Sequence, residues 1–247
     1  MYMNYKMIVQ YDGTRYDGWQ KQGNTDDTIQ GKLEAILSKM AGMPIEVQGA
    51  GRTDAGVHAL GQTANFHLPK GCVLTEDIRD YLNKYLPEDI GILEVTETAE
   101  RFHSRLNAKE KVYRYRISTS TLKNVFERKY IYPLDEHLNV KAMREAAEAL
   151  IGTHDFKSFC SNKRMKKSSV RKLIKIEITE LEGELQINFT GEGFLYNMVR
   201  IMTGTLIEVG QGKRSPKEMT EILEGKDRSL AGITAPARGL CLVKVSY

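Results

Sequence analysis

The chain has 247 residues, 41% hydrophobic and 28% charged, with a formal net charge of +4. That is enough chain for two halves of roughly 100–150 residues with their own cores. No apolar run approaches the roughly 18 residues of a membrane span, and the opening MYMNYKMIVQYDG alternates like a strand rather than a signal peptide, so the cytoplasm is the expected location.

Three cysteines, Cys72, Cys160 and Cys241, lie far apart with no CxxC pair and no histidine at ligand spacing. That spacing argues against a zinc or disulfide framework and favours small apolar packing residues. The net charge hides an asymmetry: residues 101–175 hold 19 Lys and Arg against 7 Asp and Glu, and the remainder 17 against 25. A basic stretch beside acidic flanks suits either one face for a polyanion or a solvated charged loop.

Along the chain, Lys6–Tyr11 reads as a strand. Ile29, Leu33, Ile36, Leu37 and Met40 then recur at helical spacing behind Thr28 as N-cap. Strands are expected at Ile45–Ala50 and Gln62–His67, a helix through Ile78, Leu82 and Leu86, and a strand at Ile90–Glu97. The order recurs in the second half: a strand at Lys111–Ser118, a helix from Val140 to Ile151 stopped at Gly152, and Ile174, Ile176 and Ile178 alternating as a half-buried strand. A hairpin across Glu182–Gly183 leads to Leu185, Ile187 and Phe189, then a helical face from Phe194 to Val209. A capping box, Ser215-Pro216-Lys217-Glu218, opens a short helix, and Cys241–Tyr247 closes the chain as a strand. The expectation is α+β: two similar βαββαβ halves, residues 1–106 and 107–247, with antiparallel sheets side by side and helices on one face. The active-site cleft would lie between the halves, joined rigidly near Phe102–Ala108.

Four segments have the composition of a site. Residues 49–58, GAGRTDAGVH, place Arg52 and Asp54 among three glycines, which suits a tight Asx-type turn or a close approach to a ligand. In KEKVYRYRI, Val112, Arg114 and Arg116 share one strand face, and Tyr113, Tyr115 and Ile117 the other. Lys163, Arg164, Lys166 and Lys167 form a loop of four cations, solvated or tracking a phosphate backbone. Arg200 follows Tyr196 on a largely apolar helix and must snorkel or meet an anion. Trp19, Gln20 and Gln22 either face a ligand or pack on the first helix, and His58 reads as structural.

Taken together these segments resemble the tRNA pseudouridine synthase A family. The resemblance is carried by YDGTRYDGWQKQ at 11–22, GAGRTDAGVHALGQTANF at 49–66, FHSRLNAKEKVYRYRI at 102–117, GFLYNMVRIMTGTLIEVGQGK at 193–213 and DRSLAGITAPARGLCLVKVSY at 227–247. Ser104 and Leu106 stand where the family usually has Ala and Phe. The resemblance implies an RRM-like or ferredoxin-like duplicated fold, with Asp54 as the catalytic aspartate. It implies Tyr113 stacking on uracil, and Arg52 and Arg200 as substrate-binding arginines. It also implies a cytoplasmic homodimer acting on uridines of the anticodon stem-loop of tRNA (nucleotides 38–40), with no metal or organic cofactor. The target base would be flipped from its stack and Arg52 would hold the vacated place. Asp54 must then be ionised, and a nearby cation, with Arg200 as candidate, would oppose the upward pull of burial on its pKa. Three other readings remain open on the sequence: a non-catalytic tRNA-binding or folding module, an N-glycosidase using the same carboxylate, and a paralogue with shifted uridine targets.

Overall fold

The computed structural model describes residues 2–71 and 74–247, so Cys72 lies outside the described residues. The chain forms two compact units, Met1–Lys109 with Leu242–Tyr247, and Glu110–Cys241. The last six residues thus return to the first unit, a long-range closure with no local sequence signal.

In the first unit the elements follow the expected order: β1 (Tyr2–Tyr11), α1 (Ile29–Ala41), β2 (Val47–Gly49), β3 (His58–Pro69), α2 (Thr75–Tyr85) and β4 (Ile90–Thr98). β1 lies antiparallel between β3 and β4, β2 pairs with β3, and the unit's part of β10 (Leu240–Ser246) lies beside β3. Along β1, Tyr5, Met7, Val9 and Tyr11 are buried and alternate with less buried residues, as a strand with one core face requires. Ile29, Leu33 and Leu37 of α1 are fully buried, and Thr28 Oγ1 accepts from Gly31 N as its N-cap. Asn4 and Asn65, both buried, hold the segment after β4: Asn4 Nδ2 donates to the carbonyls of Ala99 and Phe102, and Ser104 N donates to Asn65 Oδ1. The Ser104 hydroxyl donates to Gln48 O, so a serine there is fully satisfied, whereas Leu106 is exposed.

The second unit contains β5 (Glu110–Ser118), β6 (Tyr132–Pro133), α3 (Val140–Glu148), β7 (Gly152–Asp155), β8 (Val170–Leu181), β9 (Glu184–Gly191), α4 (Met198–Gly210) and α5 (Glu218–Gly225). Its strands run in the order β5-β9-β8-β7, each neighbouring pair antiparallel, and the short β6 pairs parallel to β5. Tyr113, Tyr115 and Ile117 are buried opposite Phe189, Ile187 and Leu185, and Arg114 and Arg116 take the other face, as the alternation predicts.

In β8 the structure departs from the period-2 reading. The register slips between Leu173 and Lys175, so Leu173 is buried while Ile174 is 41% exposed. A bulge inserts one residue and reverses the faces beyond it. The fourth helix starts at Met198, not Phe194. At α5 the capping box is half formed: Ser215 N donates to Glu218 Oε1, but no side chain caps the helix from the other direction. Cys160 is buried and Cys241 half-buried.

Candidate active site

The glycine-rich loop of 49–58 is clamped by the first loop of the chain. Trp19 N donates to Thr53 O at 3.0 Å, Gly56 N donates to Tyr16 O, and Gly13 N donates to His58 Nδ1. The Tyr11 hydroxyl meets Thr53 Oγ1 at 2.8 Å. From the strand side, Ala50 N donates to Thr63 O and Gln62 Nε2 donates to Gly51 O. Within the loop, Val57 N closes a turn on Asp54 O.

Two glycines make this clamp possible. Gly18 has φ +97°, and a Cβ there would lie 2.6 Å from Thr53 O. A Cβ on Gly49 would lie 2.5 Å from the Trp19 indole, which is itself 2% exposed. Trp19 is therefore a packing residue of the loop and does not face a ligand. His58, 5% exposed and accepting from a backbone amide, is structural in the same sense.

Asp54 is carried at the crest of this clamp, half-buried, between buried Thr53 and exposed Ala55. Arg52 is exposed, and its Nε donates to Gln20 Oε1 at 2.9 Å. Behind Gln20 runs a relay that the sequence did not suggest. Gln20 Nε2 donates to Gln30 Oε1, and Gln30 Nε2 donates to Glu34 Oε1 and to Val47 O. Glu34, buried on α1, also accepts from Val47 N and pairs with Lys21 at 3.0 Å. A buried carboxylate thus fixes, through two carboxamides, the direction of an exposed guanidinium. The glutamines at 20 and 30 carry no signal that distinguishes such a relay from ordinary surface residues.

Tyr113 and Arg200 belong to the second unit. Tyr113 is 7% exposed on β5, and Phe194 meets its ring edge-on at 5.1 Å between centroids. Its neighbour in the motif, Tyr115, is completely buried, with its hydroxyl donating to Pro236 O. Burial first, and then Tyr132, push the Tyr115 hydroxyl far above the ordinary phenol range, against a smaller pull from Arg200. Of the two tyrosines Tyr115 is thus a structural anchor.

Arg200 lies in the first turn of α4, half-buried. Its Nε donates to Ala235 O at 2.8 Å, Ala235 N donates back to Arg200 O, and its Nη1 donates to Asn197 Oδ1 at 2.9 Å. These oxygens are neutral, so the bonds to them are charge-assisted hydrogen bonds rather than ion pairs. Among the described residues no group of three or more His, Cys, Asp and Glu is disposed to hold a metal, and no helix is long and apolar enough to cross a membrane.

The sequence matches the family described as tRNA pseudouridine synthase over residues 7–107 and 146–247. It is 51% identical over 245 residues to tRNA pseudouridine synthase A 1 of Clostridium tetani, and 49% identical over 244 residues to tRNA pseudouridine synthase A of Bacillus sp. strain KSM-64. Both alignments cover 99% of each chain. A solved chain of a Cbf5-Nop10-Gar1 complex aligns at 12% identity and a TM-score of 0.35, too slight a likeness to bear on this chain.

Proposed function

The chain belongs to the tRNA pseudouridine synthase family and is an isomerase converting uridine to pseudouridine in tRNA, and from that premise we propose that Asp54 is its catalytic carboxylate. The observation that carries this is the clamp: a half-buried aspartate on a loop fixed from both sides by main-chain and buried side-chain hydrogen bonds. A reacting group held so firmly loses little freedom on meeting its substrate.

In this reading the target uridine leaves its stack at a cost of a few kcal/mol. Arg52, exposed and aimed by Gln20, takes the vacated position by stacking and hydrogen bonding. Tyr113 stacks on the uracil while the ring turns to present C5 to the sugar. Arg200 is the cation assigned to the anionic partners of the reaction. Addition of Asp54 to the uracil, addition to the sugar and removal of the 2′ proton all require the ionised carboxylate. The isomerisation keeps the composition of the nucleotide: the N1–C1′ bond breaks, a C5–C1′ bond forms, the C5 proton leaves to water and N1 takes up a proton in its place. The substrate is the anticodon stem-loop, the working form is a homodimer, and the place of action is the cytoplasm where tRNA is processed.

The test is tritium release from tRNA labelled at C5 of uridine, with wild type beside Asp54→Asn, a substitution that keeps the shape and removes the nucleophile. Wild type is expected to release label while the variant binds tRNA and releases none. Residual release by a clean preparation of the variant would overturn the assignment of Asp54. Mapping the modified nucleotides then tests the anticodon stem-loop directly, and free uracil in place of an isomer would mark a glycosidase.

A further inference from the structure

Asn197 adopts φ +60° and ψ 7°, a left-handed conformation that a glycine would adopt without strain. Asparagine tolerates it better than most residues, so backbone alone does not require the side chain. Yet the carboxamide is used at both ends. Its Oδ1 accepts from Arg200 Nη1 at 2.9 Å, and its Nδ2 donates to Ser161 Oγ at 3.0 Å. Ser161 is tied a second time, its amide donating to Tyr196 O. Immediately beyond Ser161 come Lys163, Arg164, Lys166 and Lys167, all exposed.

We infer that Asn197 is a positioning residue for Arg200, and that through Ser161 it joins that arginine to a loop whose four cations receive the phosphate backbone of the RNA. This rests on the reading of Arg200 as a residue of the reaction. The guanidinium is directed by the Ala235 carbonyl on Nε and the Asn197 carboxamide on Nη1. The carbonyl holds one edge, and the carboxamide stops the fork from turning about it. Engagement of the basic loop by phosphates would hold Ser161, and with it the carboxamide, in the arrangement that aims Arg200. An exposed run of cations supplies affinity without base specificity, which suits a remote grip on the backbone.

The experiment compares Asn197→Gly, which keeps the left-handed backbone and removes the carboxamide, with Asn197→Asp, which keeps an oxygen for Arg200. Single-turnover tritium release at saturating enzyme is measured with the tRNA dissociation constant and the melting temperature, beside Arg200→Ala. Asn197→Gly is expected to release label about 10–100-fold more slowly at unchanged melting temperature, as a misaimed group does. Asn197→Asp should recover to within about 3-fold of wild type, since an acceptor on Arg200 remains. Ser161→Ala should weaken tRNA binding and flatten its salt dependence. A wild-type rate for Asn197→Gly, with Arg200→Ala slow, would overturn the positioning role alone, as would an Asp variant as slow as Gly. A wild-type rate for Arg200→Ala would instead remove the reading on which the inference stands.

Discussion

At the scale of single residues, the proposed site residues are directed side chains more than reactive ones. Arg52 is exposed, and a free arginine side chain carries about 2 kcal/mol of rotamer entropy that must be lost before it can occupy a fixed place. The relay from Glu34 through Gln30 and Gln20 removes part of that freedom in advance. Gln20→Ala is therefore expected to slow tritium release by about 3–10-fold while leaving the fold intact, the scale of one hydrogen bond lost from an exposed arginine that, in the proposed reading, holds the vacated position. A rate equal to wild type would show that Arg52 needs no such guidance. Tyr113 and Tyr115 were both legible as buried strand residues from their alternation. Their difference in role was not, because it depends on Pro236, more than a hundred residues away.

At the scale of elements, β5 and β9 are joined by more than their ladder. Arg116 grips Glu184 with two bonds of 2.7 Å, through Nε and Nη2, and Gln186 donates to the same carboxylate. Burial works to raise the Glu184 carboxyl, but the hydrogen bonds from Arg116 and Gln186 outweigh it and hold it below its ordinary range. A carboxyl depressed by folding stabilises the protein above its unfolded pKa and loses that contribution as the pH falls through its folded value. Glu184→Gln should accordingly lower stability by about 1–2 kcal/mol at neutral pH. The gap from wild type should narrow as the solution is acidified below the ordinary carboxylate range. Denaturant melts across pH check this, and a gap independent of pH would mean that packing rather than charge is what the substitution removes. The bulge at Ile174 belongs to this scale too: three isoleucines at even spacing predict one face, and nothing local tells that one of them will be the inserted residue.

At the scale of the whole molecule, positive charge is concentrated in one stretch of a chain whose substrate is a polyanion. The excess of Lys and Arg between residues 101 and 175 includes the four exposed cations of the loop at 163–167. Each phosphate left without its cation should take about 0.7–0.9 from the slope of log affinity against log salt. Replacing Lys163, Arg164, Lys166 and Lys167 together by Ala should flatten that slope by up to four such steps, read by tRNA binding over a salt series. An unchanged slope would leave the loop as solvated surface and locate the RNA grip elsewhere in the basic stretch.

The sequence by itself determined the order of the longer strands and helices, though not the short β6 and β7, as well as the core face of β5 and β9, the Thr28 cap and the segment that carries Asp54. Each of these is a local property, set by the period of apolar residues or by the chemistry of a turn. The tertiary structure alone decided that Trp19 packs beneath Gly49, and that Gln20 aims Arg52 and Asn197 holds Arg200. It also decided that residues from Leu242 onward return to the first unit, where Tyr247 donates to Ser104 O. These are contacts between residues far apart in the chain or of types that serve equally well on a surface. Their partners are fixed only when chain closure brings particular donors and acceptors within about 3 Å of one another.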